Sequence, residues 1–343
     1  MIKKILFGML FFILLLAGCG TSSVQQKDDG KEKLTIYTTV FPLQDFAEKI
    51  GGDYVEVESI LPAGADAHTF EPTSNTLVDI AESDAFIYIG AGMESYADTI
   101  SEAVESEDVS LVEATDGVSL LASTHEHDHG EEAGHDHDGE ETHDHEHEGE
   151  EAGEQEGETA EAGETEHDHG DYDPHVWLDP VRSIDLAENI KDSLVDLMPD
   201  HRQAFEDNYA DLEKKLRELD QSFHQTVEKG KKREILVSHA AFGYWEDAYG
   251  LEQIAVSGLS TAQEPSQKQL ESIIEESEEH DLQYILFEQN VTPRVAEVVQ
   301  KEIGAETLRV HNLAVLTEED VENQEDYFSL MEKNLDTIKT AIQ

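Results

Sequence analysis

Two blocks of the chain alternate short β-branched and aromatic runs with stretches whose apolar residues recur every three or four positions. In the first block LTIYTTV (34–40), YVEVESIL (54–61), AFIYIG (85–90) and SLVEA (110–114) read as strands. Between them, PLQDFAEKIGG reads as a helix closed by glycine, SNTLVDIAESD as a capped helix, and MESYADTISEAVES as a third helix. In the second block REILVSH (233–239), LEQIAVS, LQYILFE (282–288) and ETLRVHN alternate with the helical patterns AFGYWEDAYG, SQKQLESIIEESEEH, TPRVAEVVQKEIG and DYFSLMEKNLDTIKTAIQ. Strand and helix in succession predict an α/β fold of mainly parallel sheets flanked by helices. No sequence repeat links the blocks, so the repetition is one of architecture.

Between the blocks, Phe205, Tyr209, Leu212, Leu216, Leu219 and Phe223 are spaced by fours and threes, which predicts one amphipathic helix from about Asp200 to Lys229. At the standard rise it is about 45 Å long, a stiff strut between two lobes. Its apolar stripe spans too few heptads for a coiled-coil dimer. A length of 343 residues with 38% hydrophobic content supports two cores.

The chain begins with Lys3 and Lys4, an apolar run from Ile5 to Ala17 and small residues before Cys19, which predicts a signal peptide over 1–18. That run is short of the ~20 residues a membrane-spanning helix needs. Leu16-Ala17-Gly18-Cys19 resembles a bacterial lipoprotein signal, so Cys19 is the expected lipid attachment point and 19–33 a polar tether. The expected location is the outer face of the cell membrane. Cys19 is the only cysteine, which excludes an intrachain disulfide.

A formal charge of −57 repels nucleic acid and anionic lipid and gathers cations, so no nucleic-acid partner is expected. The acidity peaks in a tract from 125 to 171 that holds 21 acids, no Lys or Arg and ten histidines: His125, His127, His129, His135, His137, His143, His145, His147, His167 and His169. Without large apolar side chains it cannot offset the entropy of ordering, so a disordered loop over 122–171 is expected. His-x-His spacing puts both rings on one side of an extended chain, suited to weak capture of several metal ions near a second site. A solvated acidic spacer is the plain alternative.

Seven histidines lie outside the tract: His68, His175, His201, His224, His239, His280 and His311. His239 ends a strand, Glu288 ends another, and His68 follows a third in the compact loop LPAGADAHTFEP. Ligands of parallel α/β sheets bind beyond the carboxyl ends of strands, so these groups face the expected opening. His175 stands in the proline-bracketed turn DYDPHVWLDP. Singly, each is more often structural; together with the tract and the export signal they favour one metal site. Trp177, Asp179 and Glu71 are outer candidates, with packing as the ordinary role of the first and helix starts as that of the other two.

LPAGADAHTFEPT, DPHVWLDP, ILVSHAAFGYW and YILFEQN, in this order along 34–343, resemble the cluster A-I solute-binding proteins of bacterial ABC importers, especially the zinc-uptake lipoproteins. The resemblance implies two α/β lobes joined by a long rigid helix, a monomer that delivers metal to a membrane permease, and a cleft site of His68, His175, His239 and Glu288. The implied division is an N-terminal lobe over 34–181, linking helices over 182–231 and a C-terminal lobe over 232–343. Some zinc relatives carry an acidic residue before the first ligand, where this chain has Ala67, which strengthens the expectation for Glu288. A cysteine pair common in the family's second lobe is absent, so that lobe relies on packing.

Three imidazoles and one carboxylate suit tetrahedral Zn²⁺, whereas Mn²⁺ prefers more oxygen. Acid should weaken binding, because protonated imidazole cannot ligate. A manganese receptor and a surface zinc buffer or adhesin are the alternatives. A zinc enzyme needs an open fourth position for activated water, and the chain has no nucleophile elbow, HExxH or phosphate loop.

Overall fold

The computed structural model describes residues 33–123, 172–261, 263–290 and 293–343. The signal peptide, Cys19, nearly all of the tether and the tract from His125 to His169 lie outside the described residues.

Strands β1 (Leu34–Thr38), β2 (Val55–Ser59), β3 (Ala85–Tyr88) and β4 (Ser110–Glu113) form a parallel sheet in the order β2-β1-β3-β4. β5 (Glu234–His239), β6 (Glu252–Ser257), β7 (Tyr284–Glu288) and β8 (Glu306–Val310) form a second parallel sheet in the equivalent order, β6-β5-β7-β8. The central strands β5 and β7 are buried along almost their whole length, as their unbroken apolar runs require. All eight sequence-predicted strands are present. β1 ends two residues early because Val40 becomes the N-cap of a helix with Pro42 in its first turn.

The helices are α1 (Phe41–Gly51), α2 (Ser74–Ala81), α3 (Ala97–Val104), α4 (Pro180–Leu197), α5 (Arg202–Lys229), α6 (Gly243–Tyr249), α7 (Gln267–Glu279), α8 (Arg294–Ile303), α9 (Glu318–Asn323) and α10 (Tyr327–Ala341). Thr73, Ser266, Thr317 and Asp326 start four of them with reciprocal capping boxes. Gly250 and Gly304 stop α6 and α8 at φ +69° and +70°, a backbone region open to glycine at little cost. The exposed Glu71 does not start α2; Thr73 does.

The strut is a 28-residue helix, α5, with Phe205, Leu212, Leu216, Leu219, Phe223 and Val227 buried along one stripe. At its start, Asn208 donates to the carbonyl of Ile50 in the first lobe. Near its end, Phe223 packs 5.5 Å from the Trp245 ring in the second. α4 and α10 pack along it. One continuous apolar core runs through the helical layer from Ile36 and Phe46 to Tyr244, Trp245 and Tyr327, with smaller clusters on the outer face of each sheet. No helix among the described residues is long and apolar enough to cross a membrane.

Candidate metal centre

Both sheets direct their carboxyl ends toward one place. β5 delivers His239 and β7 delivers Glu288, while the loop after β2 carries His68. His175 comes from the turn before α4, which a one-turn helix (Val176–Leu178) and the Asp179 N-cap hold in place. The Asp179 side chain accepts from the backbone N–H groups of Val181 and Arg182, so its helix-start role is the observed one.

His68, His175 and His239 offer nitrogens that all lie within 4.8 Å of one another. Nε2 of His68 stands 3.2 Å from Nε2 of His175. The three ring centroids are 5.1, 5.2 and 5.6 Å apart in pairs. Tetrahedral Zn–N bonds of about 2.0–2.1 Å put ligand nitrogens about 3.4 Å apart, so a modest ring adjustment encloses an ion. Among the described residues no other group of three or more His, Cys, Asp and Glu side chains converges in this way.

The outward-facing nitrogens are fixed from behind. Asp173 Oδ1 accepts from both the backbone N–H and Nδ1 of His175, at 3.0 and 2.8 Å. Glu288 Oε1 accepts from Nδ1 of His239, and its Oε2 accepts from Asn312 Nδ2 at 2.8 Å. A ring that donates from Nδ1 has its Nε2 lone pair free for metal. Nε2 of the fully buried His239 has no hydrogen-bond partner, a deficit that a bound cation removes. Burial alone pushes the His239 imidazolium pKa down, but the charge and hydrogen bond of Glu288, with Asp66 and Asp173 beyond, outweigh it and hold the value above that of ordinary histidine.

Glu288 is therefore at the centre, though through His239 rather than within the converging nitrogen trio. Trp177 packs in the core, its Nε1 donating to the carbonyl of Asn312 at 2.7 Å. The other four described histidines have separate partners: His201 stacks on Tyr54, His224 lies near Asp220, His280 near Glu234 and His311 near Asp320. Asp173 and Asn312 were not singled out from the sequence. Asp173 carried a signal, since an Asp two residues before a ligand commonly turns back to its N–H. Asn312 carried none. Close by, Ala122 pairs with Tyr172 in an antiparallel bridge and the Asp173 N–H donates to the carbonyl of Leu121 at 2.9 Å.

The sequence profile of the family described as zinc-uptake complex component A, periplasmic (ZnuA), matches residues 36–341. The zinc-binding lipoprotein AdcA of Streptococcus pneumoniae is 36% identical over 330 residues, covering 95% of this chain but 58% of that protein, so the chain spans little more than half of such relatives. The high-affinity zinc uptake system protein ZnuA of Bacillus subtilis is 32% identical, with 98% and 97% covered. The crystal structure of the Zn(II)-bound ZnuA-like domain of Streptococcus pneumoniae AdcA superposes with a TM-score of 0.68 at 32% identity, over 90% of this chain and 99% of that one. With its two equivalent parallel sheets, its long strut and its converging imidazoles, the chain belongs to the ZnuA family of zinc-uptake solute-binding proteins.

Proposed function

We propose that this protein is the extracytoplasmic receptor of an ABC importer, capturing one Zn²⁺ between its lobes through His68, His175 and His239 and delivering it to a membrane permease. The observation that carries the reading is the meeting of three imidazole nitrogens from distant parts of the chain, one of them a buried Nε2 without a partner. The zinc named in the relatives, AdcA and ZnuA, agrees with a nitrogen-rich set, and manganese would call for more oxygen. Competition titration on the purified chain tests it: one tight ion per chain with zinc displacing manganese is expected, and a preference for manganese would turn the reading to the manganese receptors.

Cys19 holds the receptor to the outer face of the membrane by an acyl chain in this reading, with 19–33 as tether. Mass spectrometry of the membrane fraction should find a lipid on the chain that C19A lacks.

The role of Glu288 is separable by Glu288→Gln. Gln keeps an oxygen for Nδ1 of His239 and removes the charge. If the carboxylate orients the ring, zinc affinity falls about 10- to 100-fold. A larger fall, matching that of a lost histidine, would mark Glu288 as the fourth ligand.

The tract from His125 to His169 collects zinc for the cleft. The described residues that flank it in sequence, Ala122 and Tyr172, pair beside Asp173, the partner of His175, which supports a tether that raises zinc concentration at the opening. Deleting 125–169 is expected to remove the weakly bound ions and slow zinc-limited growth while the one tight ion stays. A surface zinc buffer would instead lose most of its useful binding, and unchanged weak sites and growth would reduce the tract to a spacer.

A further inference from the structure

Pro62 to His68 belongs to the first lobe in sequence, but its free polar groups are taken up by the second. Gly64 N–H donates to the carbonyl of Leu316 at 2.8 Å. Asn290 Nδ2 donates to the carbonyl of Ala65 at 2.8 Å. Thr261 Oγ1 donates to Asp66 Oδ2 at 2.6 Å, and the other oxygen of that carboxylate accepts from the backbone N–H of His68 at 3.0 Å. The three contacts come from the segments that follow β8, β7 and β6, in that order. Three consecutive residues of the loop are thus tied across the gap, and the next ligand in line is His68.

His68 is also the least buried of the trio, half-buried where His175 and His239 are closed off from solvent. Of the three rings, only that of His68 is open to solvent in part.

We propose that Asp66, Thr261 and Asn290 form a latch that sets the rate of metal release, with Asp66 as a positioning residue that links the cross-lobe hydroxyl to the His68 backbone. The proposal rests on the receptor reading above and adds to it which contacts must open before the ion leaves. Association is governed by the unlatched loop, in which these bonds are absent, so the latch acts on release and hardly on capture. Each contact is one hydrogen bond of ordinary strength, worth about a fivefold change in rate.

The test is stopped-flow transfer of zinc from the loaded full chain to a chelator, with association followed separately, for T261V, N290A, the double variant and T261S. The expected result is release about fivefold faster in each single variant and about 25-fold in the double. Association should stay within a factor of two, and the melting temperature of the metal-free chain should fall by no more than a few degrees, the worth of the bonds removed. T261S, which restores the hydroxyl, should return release to the wild-type rate. A zinc-loaded double variant that releases at the wild-type rate overturns the latch alone. Slower association together with a larger fall in melting temperature assigns the contacts to folding and overturns it too. A wild-type chain that retains no zinc overturns the receptor reading, and the latch with it.

Discussion

His239→Ala is expected to lower zinc affinity by about two to three orders of magnitude and, alone among the three histidines whose rings converge, to strand a buried carboxylate. Structural zinc sites bind with about 10–16 kcal/mol shared over four ligands, so one ligand accounts for about 2.5–4 kcal/mol. His239 adds a second effect, since its ring is fully buried and is the partner of Glu288 Oε1. Alanine leaves that carboxylate buried with only the Asn312 amide against Oε2. An uncompensated buried charge is costly, so the metal-free variant should unfold at lower denaturant as well as bind less. The check is chelator-competition titration of the chain deleted for 125–169, in which the weak tract does not obscure the tight ion. Retention of that ion within a factor of ten of wild type would remove His239 from the site. His68→Ala serves as the comparison: it should cost similar affinity with little stability, because His68 is half-buried and leaves no charge stranded.

The elements that local physics determines were legible in the sequence. Strand runs such as ILVSH and YILFE are buried on both faces and so are apolar throughout, and the stripe of α5 repeats at helical spacing over 28 residues. His68 and His239 stood out because parallel sheets put their openings at strand carboxyl ends, and His175 because of its proline-bracketed turn; the fold brings these three rings together. What the sequence did not disclose depends on side-chain direction and on contacts between distant segments. Whether Glu288 meets an ion or the ring of His239 turns on which nitrogen the imidazole presents, and no spacing encodes that. Asn312 acts through a loop that returns from β8, and Thr261 meets Asp66 across 195 positions of chain. α9 escaped for a different reason: six mostly acidic residues with one valine show no periodicity, and the capping pair of Thr317 and Asp320 is its only local mark.

Fold and site share one residue through which both can be weakened. The indole of Trp177 lies fully buried in the core that runs between the sheets. Its Nε1 donates to the Asn312 carbonyl at 2.7 Å, and its own carbonyl accepts from the Tyr327 hydroxyl at 2.7 Å. Asn312 in turn holds Glu288, and the Trp177 ring lies 5.5 Å from that of His175. One side chain thus braces the surroundings of two of the proposed ligands, His175 and His239, which come from distant parts of the chain.

Trp177→Ala is therefore expected to destabilise the metal-free chain by about 3–5 kcal/mol, the usual range for a large aromatic removed from a core. Trp177→Phe separates the terms: it keeps much of the ring volume and leaves the Asn312 carbonyl without its donor, a loss of about 1–3 kcal/mol. Urea denaturation of the two variants without metal measures both. Zinc at 100 times its dissociation constant should add about 2.7 kcal/mol to whichever chain still binds it. If Trp177 only fills space, Trp177→Phe keeps wild-type affinity and gains that full increment at the wild-type zinc concentration. If the indole braces the centre, the same zinc gives a smaller gain, because Asn312 and Glu288 are no longer held against His239. A cost below about 1 kcal/mol for Trp177→Ala would mean that the core closes over the gap, which its full burial between two sheets and a helical layer argues against.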